Sequence, residues 1–132
     1  MNGAPVTAIV NTNPDMVELL KLRVEAAGFI VLVMHVAEIR QGLDIENTLK
    51  QHDPRVVVYD VVAPYELSWR FLEHLRTATA FAGRQFVLTS PNVTQLKRIV
   101  KVDETIFEIV GGDDIDGIVQ AVREASRARP TR

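Results

Sequence analysis

Cysteine is missing from all 132 residues, which excludes a disulfide scaffold, a cysteine nucleophile and any thiolate metal site. A strong charge of either sign is missing too. Lys and Arg number 15 against 17 Asp and Glu, a net charge of −2, so nothing draws the chain as a whole toward nucleic acid or an anionic membrane. Long apolar stretches are absent. The longest unbroken run, at 29–34, falls far short of the roughly 20 residues needed to span a bilayer. The opening Met1-Asn2-Gly3-Ala4-Pro5 carries neither the basic flank nor the apolar stretch of a secretion signal. There is no internal repeat, linker or low-complexity tract. Neither G-x-G-x-x-G nor a P-loop occurs, which removes the usual handholds for a dinucleotide or nucleoside triphosphate. The nucleophile elbow of seryl hydrolases is lacking as well.

What is present is ordinary for a soluble globular protein: 47% hydrophobic and 24% charged residues. A chain this long buries roughly two thirds of its unfolded surface and needs no staple. We expect one cytoplasmic domain spanning 1–132, with its core at about 5–126 and a frayed tail at 127–132. The arginines at the end (Arg123, Arg127, Arg129 and Arg132) read as the solvated face of a last helix running into that tail, with a polyanion-binding tail as the alternative.

Five short apolar runs, at 6–10, 30–34, 56–59, 86–88 and 106–110, are rich in Val and Ile and mostly do not alternate with polar residues. Such runs suit strands buried on both faces of a parallel sheet. Helical spacing fills the intervals. Asn13-Pro14 reads as an N-cap followed by proline at the first helical position, with Val17, Leu20, Val24 and Ala27 on one face and Gly28 as terminator. A short helix carries Ile45 and Leu49 and stops before Asp53-Pro54. A third carries Trp69, Leu72 and Leu75, a fourth from near Asn92 carries Val93, Leu96 and Val100, and the last, after Asp113, carries Ile115, Ile118, Val119 and Val122. Strand and helix alternate five times. Right-handed crossovers then give an open α/β sheet with helices on both faces, in the flavodoxin-like order 2-1-3-4-5.

In such sheets ligands gather beyond the carboxyl ends of the strands where the strand order reverses, here between the first and third strands. Asn11-Thr12-Asn13 and Asp60 meet there, and Thr89-Ser90-Pro91 from the fourth strand adds hydroxyls to the same crevice. Asp60 emerges from Val56-Val57-Val58-Tyr59 and is followed by Val61-Val62, an apolar setting for a carboxylate. A plain turn-capping aspartate is the alternative. His35, His52 and His74 lack metal-ligand spacing. Gly111-Gly112-Asp113-Asp114 shares residue types with a nucleotide-cyclase signature, but that motif sits on a hairpin of a larger domain, whereas a helix follows here; we read it as loop and cap. Trp69 reads as core.

The segment Val10-Asn11-Thr12-Asn13-Pro14-Asp15-Met16-Val17-Glu18-Leu19-Leu20 resembles the opening of response-regulator receiver domains. The segment from Asp53 to Pro64 is similar to the one bearing their phosphoacceptor aspartate, and Val87-Leu88-Thr89-Ser90 to the strand carrying their switch hydroxyl. The order and spacing of these short motifs make the match. The resemblance implies the phosphoacceptor position at Asp60, the switch hydroxyl at Thr89 and the small residue beside the acceptor at Ser90.

The departures are chemical. Where the family has an acidic pair that holds magnesium, this chain has Asn11 and Thr12; where it has a lysine closing the fifth strand, Val110 or Gly111 stands, and no lysine follows Lys101. If the slot is Val110, Phe107 takes the aromatic switch position; if Gly111, Glu108 does. Magnesium prefers an octahedral oxygen shell built around carboxylates, so its binding is expected to be weak or absent, and no other cofactor is implied. An acyl phosphate on Asp60 would add up to about two negative charges facing neither magnesium nor lysine. Two anions and one cation are lost together, which leaves Asp60 tolerable alone. The resemblance therefore points to a degenerate receiver, not an enzyme, acting through a protein partner (a histidine kinase or a downstream output protein) or through a homodimer, with no nucleic acid or membrane of its own. The competing readings are an active receiver phosphorylated on Asp60 by a histidine kinase, and a small α/β enzyme with Asp60 as nucleophile.

Overall fold

A computed structural model of the chain describes residues 5–35, 38, 44–77, 81–100 and 106–127. Among the described residues five strands and five helices alternate: β1 (Val6–Asn11), α1 (Pro14–Ala26), β2 (Ile30–His35), α2 (Ile45–His52), β3 (Val56–Asp60), α3 (Tyr65–Arg76), β4 (Gln85–Ser90), α4 (Val93–Ile99), β5 (Ile106–Gly111) and α5 (Ile115–Arg127). The strands form one parallel sheet in the order β2-β1-β3-β4-β5, the flavodoxin-like arrangement expected. The side chain of Ile45, together with Lys101, Arg129 and Arg132, lies outside the described residues.

Local chemistry sets the helix ends. Asn13 accepts hydrogen bonds from the backbone N–H groups of Asp15 and Met16, and Pro14 follows it, so orphan donors are satisfied where proline costs least. Asp44 and Asn92 cap α2 and α4 in the same way, through the N–H groups of Asn47 and Gln95. The cap of α5 is Asp114, bonded by Gly117 N–H at 3.0 Å, one residue later than the sequence spacing suggests. α1 stops at Gly28, whose φ of +100° is the left-handed region glycine enters most cheaply.

Alternation along the strands divides the core in two. Ile9, Val58 and Val87 face α1 and α5 and pack with Val17, Leu20, Val24, Ile118 and Val122. Ala8, Val57, Phe86 and Leu88 face α2, α3 and α4 and pack with Leu49, Trp69, Leu72, Leu75 and Leu96. Phe81, from the stretch before β4, joins that side, with its ring 5.9 Å from Phe86. β1, β3 and β4 are buried almost throughout, as continuous apolar runs imply. The edge strands are not. β2 is half-exposed with Ile30 open to solvent, and β5 alternates. A register shift opposite Phe86 and Val87 leaves Phe107 as the extra residue of β5, half-buried against the α1/α5 side.

At the opposite end of the sheet from the strand carboxyl ends, Arg84 ties α2 to the start of β3. Its Nη1 donates to Asp53 Oδ1 at 2.9 Å and to the Pro54 carbonyl at 2.6 Å, holding the turn in which Asp53 adopts a φ of 47°.

One core polar group has no counterpart. Thr7 is fully buried, paired in the ladder between Val31 and Val56, and its hydroxyl finds no hydrogen-bond partner among the described residues. A buried hydroxyl left unpaired costs free energy that an apolar group of the same shape does not. Thr7→Val is therefore expected to stabilise the protein by about 1 kcal/mol, raising Tm by roughly 3–5 °C for a domain of this size. Thermal unfolding measures this directly, and an unchanged or lowered Tm would show that the hydroxyl has a partner.

Candidate functional site

Parallel pairing delivers the site. Asn11 ends β1, Asp60 ends β3, and Asp60 lies opposite Thr89 in the ladder between β3 and β4. Asn11, Asp60 and Thr89 all fall on the side of the sheet covered by α1 and α5, by alternation from Ile9, Val58 and Val87. Each strand continues past its apolar run into these polar residues.

Asp60 is half-buried, and Thr89, almost fully buried, donates its hydroxyl to Asp60 Oδ1 at 2.6 Å. The chain beyond Asp60 stays tied to β4, because Val61 N–H donates to the Thr89 carbonyl at 2.8 Å. Burial pushes the Asp60 carboxyl above its ordinary range, and the hydrogen bond from Thr89 pulls it part of the way back. Asn11 is only 4% exposed, and its Oδ1 accepts from Asn13 N–H at 2.8 Å. Thr12 is exposed at the mouth. Ser90 points away from this group. It is fully buried, and its hydroxyl accepts from Asn92 N–H at 3.1 Å, shaping the turn into α4.

These residues open onto a cleft of about 420 Å³ lined by Asn11, Thr12, Asn13, Asp60 and Asp113, with Met16, Val62 and Pro91 as apolar walls. Gly112, also on the wall, is the closest approach from the β5 side: a Cβ there would lie 3.7 Å from Asp60 Oδ1. Val110 is buried in the core toward α1 and α5, and Gly111 pairs with Ser90 in the ladder. Gly112 and Asp113 were not among the expected site residues. The signal that marks them is the Gly111–Asp114 loop itself, because the loop after β5 must pass the end of the neighbouring strands. Phe107, four residues from the strand's end, lies within β5 on the α1/α5 side and does not line the cleft.

The charge here is of one sign. Among the described residues, Asp60 and Asp113 are the ionisable ones lining the cleft, and no lysine or arginine joins them there. Among the described residues no three His, Asp or Glu side chains converge as metal ligands. The donor set fits a resident magnesium ion poorly. Asp60 supplies one half-buried carboxylate and Asp113 an exposed one, Asn11 has its single side-chain oxygen engaged by Asn13 N–H, and Thr12 offers a neutral hydroxyl, against magnesium's demand for a near-octahedral oxygen shell.

Solved structures share this architecture. A response regulator from Thermotoga maritima superposes with a TM-score of 0.67 at 17% identity, over 95% of this chain and 99% of that one. A sensor protein from a Polaromonas species gives a TM-score of 0.72 at 17% identity, over 92% of this chain and 95% of that one. A response regulator receiver domain from Methylobacillus flagellatus gives 0.64 at 17% identity, over 91% and 99%. At this identity the likeness is one of fold. No protein-family model and no curated protein matches the chain.

The raised Asp60 carboxyl sets a sign for pH dependence. The folded chain holds the Asp60 proton more tightly than the unfolded chain does, so the native state binds more protons in the window above the ordinary value of 3.8. Stability contributed by Asp60 therefore falls as pH rises through that window. Asp60→Asn keeps an acceptor for Thr89 and removes the buried charge. We expect the variant to melt higher than the parent at neutral pH, with the gap closing as pH falls below 3.8. A gap that is the same at every pH would contradict this origin.

Proposed function

We propose that this chain is a receiver-type signalling domain of the two-component kind that works through protein–protein contacts, with little or no magnesium-dependent phosphorylation of Asp60. The observation that carries this reading is the charge of the cleft: Asp60 and Asp113 both line it, with Asn11 and Thr12, and no lysine or arginine among the described residues does. Phosphoryl transfer depends on positive charge that neutralises the transferring oxygens and holds them in line. A phosphorylated Asp60 would instead place about two negative charges in a cleft that a second carboxylate, Asp113, also lines.

The fold supports a signalling role by architecture alone, and the partner side of the reading rests on the receiver likeness. A histidine kinase or a downstream output protein is the expected partner class. No helix among the described residues is long and apolar enough to cross a membrane. Lys97, Arg98 and Arg123, on α4 and α5, are exposed and are where we place a contact with a partner or a second copy.

A second reading, an active phosphoacceptor, is favoured by one observation: Thr89 already reaches Asp60 at 2.6 Å, the hydroxyl contact a switch would use. Beryllofluoride with magnesium, which mimics the phosphoryl group, separates the two. We expect NMR spectra and Tm to stay unchanged at millimolar concentrations of both. A saturable shift at Asp60, Thr89 and Gly112 would favour the active receiver.

Restoring carboxylates tests whether the three strand-end residues converge chemically. Asn11→Asp with Thr12→Asp is expected to lower stability without metal, because clustered anions repel. Magnesium at about a hundred times its dissociation constant should then return roughly 2.7 kcal/mol, an effect absent from the parent. A double variant whose Tm ignores magnesium would remove Asn11 and Thr12 from the site.

A further inference from the structure

Two polar atoms in the cleft are built in and left without partners. Asn11 is 96% buried, by its 4% exposure, and its Oδ1 is committed to Asn13 N–H. That bond fixes the amide's orientation, and the donor Nδ2 makes no hydrogen bond among the described residues and is open to the cleft that the side chain lines. Asp60 is in the converse state. Its Oδ1 takes the Thr89 hydroxyl, and Oδ2 has no hydrogen-bond partner among the described residues. A donor on a well-buried side chain and a half-buried anionic acceptor therefore open onto one space. Gly112 adds no side chain of its own where the β5–α5 loop passes Asp60, and Asp113 lines the cleft beside it.

We propose that the cleft receives a lysine or arginine side chain from a partner protein, with a main-chain carbonyl of the same partner segment accepting from Asn11 Nδ2. This rests on the reading that the domain works through protein contacts. The head group pairs with Asp60 Oδ2 and with Asp113 at the rim, which share the cleft with no lysine or arginine among the described residues. The aliphatic stem lies along Met16, Val62 and Pro91, the way long basic side chains cover apolar surface while their charge stays polar-solvated. A phosphate or carboxylate ligand is disfavoured by the same two aspartates, and a neutral apolar ligand would leave Asn11 Nδ2 and Asp60 Oδ2 desolvated and unpaired. A cation beside Asp60 also offsets the burial that raises its carboxyl.

The test is an NMR titration of the full chain with N-acetyl-lysine methylamide and N-acetyl-arginine methylamide. The matched control is N-acetyl-citrulline methylamide, which keeps arginine's shape without its charge. We expect saturable shifts of the Asn11 side-chain amide and the Gly112 N–H with millimolar dissociation constants, as suits one anchored side chain. Citrulline should bind about tenfold more weakly or not at all. Asp113→Asn, an exposed change that leaves the core untouched, should weaken the basic probes and leave citrulline where it was.

Three results would overturn the proposal: citrulline equalling arginine, basic probes shifting residues away from the cleft, or no saturation at all. Magnesium chloride alone reproducing the shifts would overturn it too, because the cleft would then be a metal site. Beryllofluoride provides the separation from the reading beneath. If it binds, the phosphorylation-independent reading falls; if neither it nor the basic probes bind, this proposal alone falls.

Discussion

β3 is buried on both faces between β1 and β4, and the site depends on that burial. Val56, Val57, Val58 and Tyr59 are almost completely shielded, so the strand can end only where the sheet's two helical layers part. Asp60 is placed at that exit and cannot be fully hydrated, which is why its carboxyl is raised. The same register puts Thr89 directly opposite, close enough to donate a hydrogen bond without any adjustment of either strand. A carboxylate held this way is committed: one oxygen is taken, the other opens to the cleft, and the backbone beyond it is tied to β4 through Val61.

What such a carboxylate can do is decided by its neighbours. Flanked by acids it would help hold a divalent cation; beside a lysine it would be neutralised within the chain. Here Asn11 spends its oxygen on the entry to α1, and glycine stands at the nearest point of the β5–α5 loop. Among the described residues the one further charge on the cleft wall is Asp113, of the same sign. Opposed charges lower the cost of half-burying a carboxylate, and like charges raise it. Both proposals above draw on that single asymmetry: carboxylates line the cleft, and no lysine or arginine among the described residues does.

The architecture was legible because its signals are redundant. Val and Ile runs at regular intervals, Asn13-Pro14 at a helix start and Gly28 at its end all agree, and each is a local preference that packing reinforces. Asp60 was legible for a topological reason, since an acid ending a doubly buried strand at the switch point has few places to go. Other features left no local trace. β2 and β5 have the composition of buried strands, and their edge positions followed only from the expected order 2-1-3-4-5, not from their own residues. The extra residue at Phe107 is a property of the pairing with β4, not of β5. Ser90 was expected to share the crevice with Thr89, but adjacent strand residues face opposite sides, and its hydroxyl serves the turn into α4. Thr7 resembles any strand threonine until both its neighbours prove to be valines.

The site residues also explain how one fold can carry unlike chemistries. Asn11, Thr12, Asp60, Gly112 and Asp113 stand outside the two apolar clusters that hold the sheet and helices together. Exchanging them alters charge and hydrogen bonding at the strand ends while leaving the buried Val, Ile and Leu contacts intact. Nearly complete superposition at 17% identity is therefore compatible with a different cleft. The likeness constrains where chemistry sits, and the atoms at that place decide what it is. On that criterion Asn11 Nδ2 and Asp60 Oδ2, without hydrogen-bond partners among the described residues, say more about the ligand than the superposition does. Together they ask for an acceptor and a cation in one molecule, which a basic residue in a peptide chain supplies.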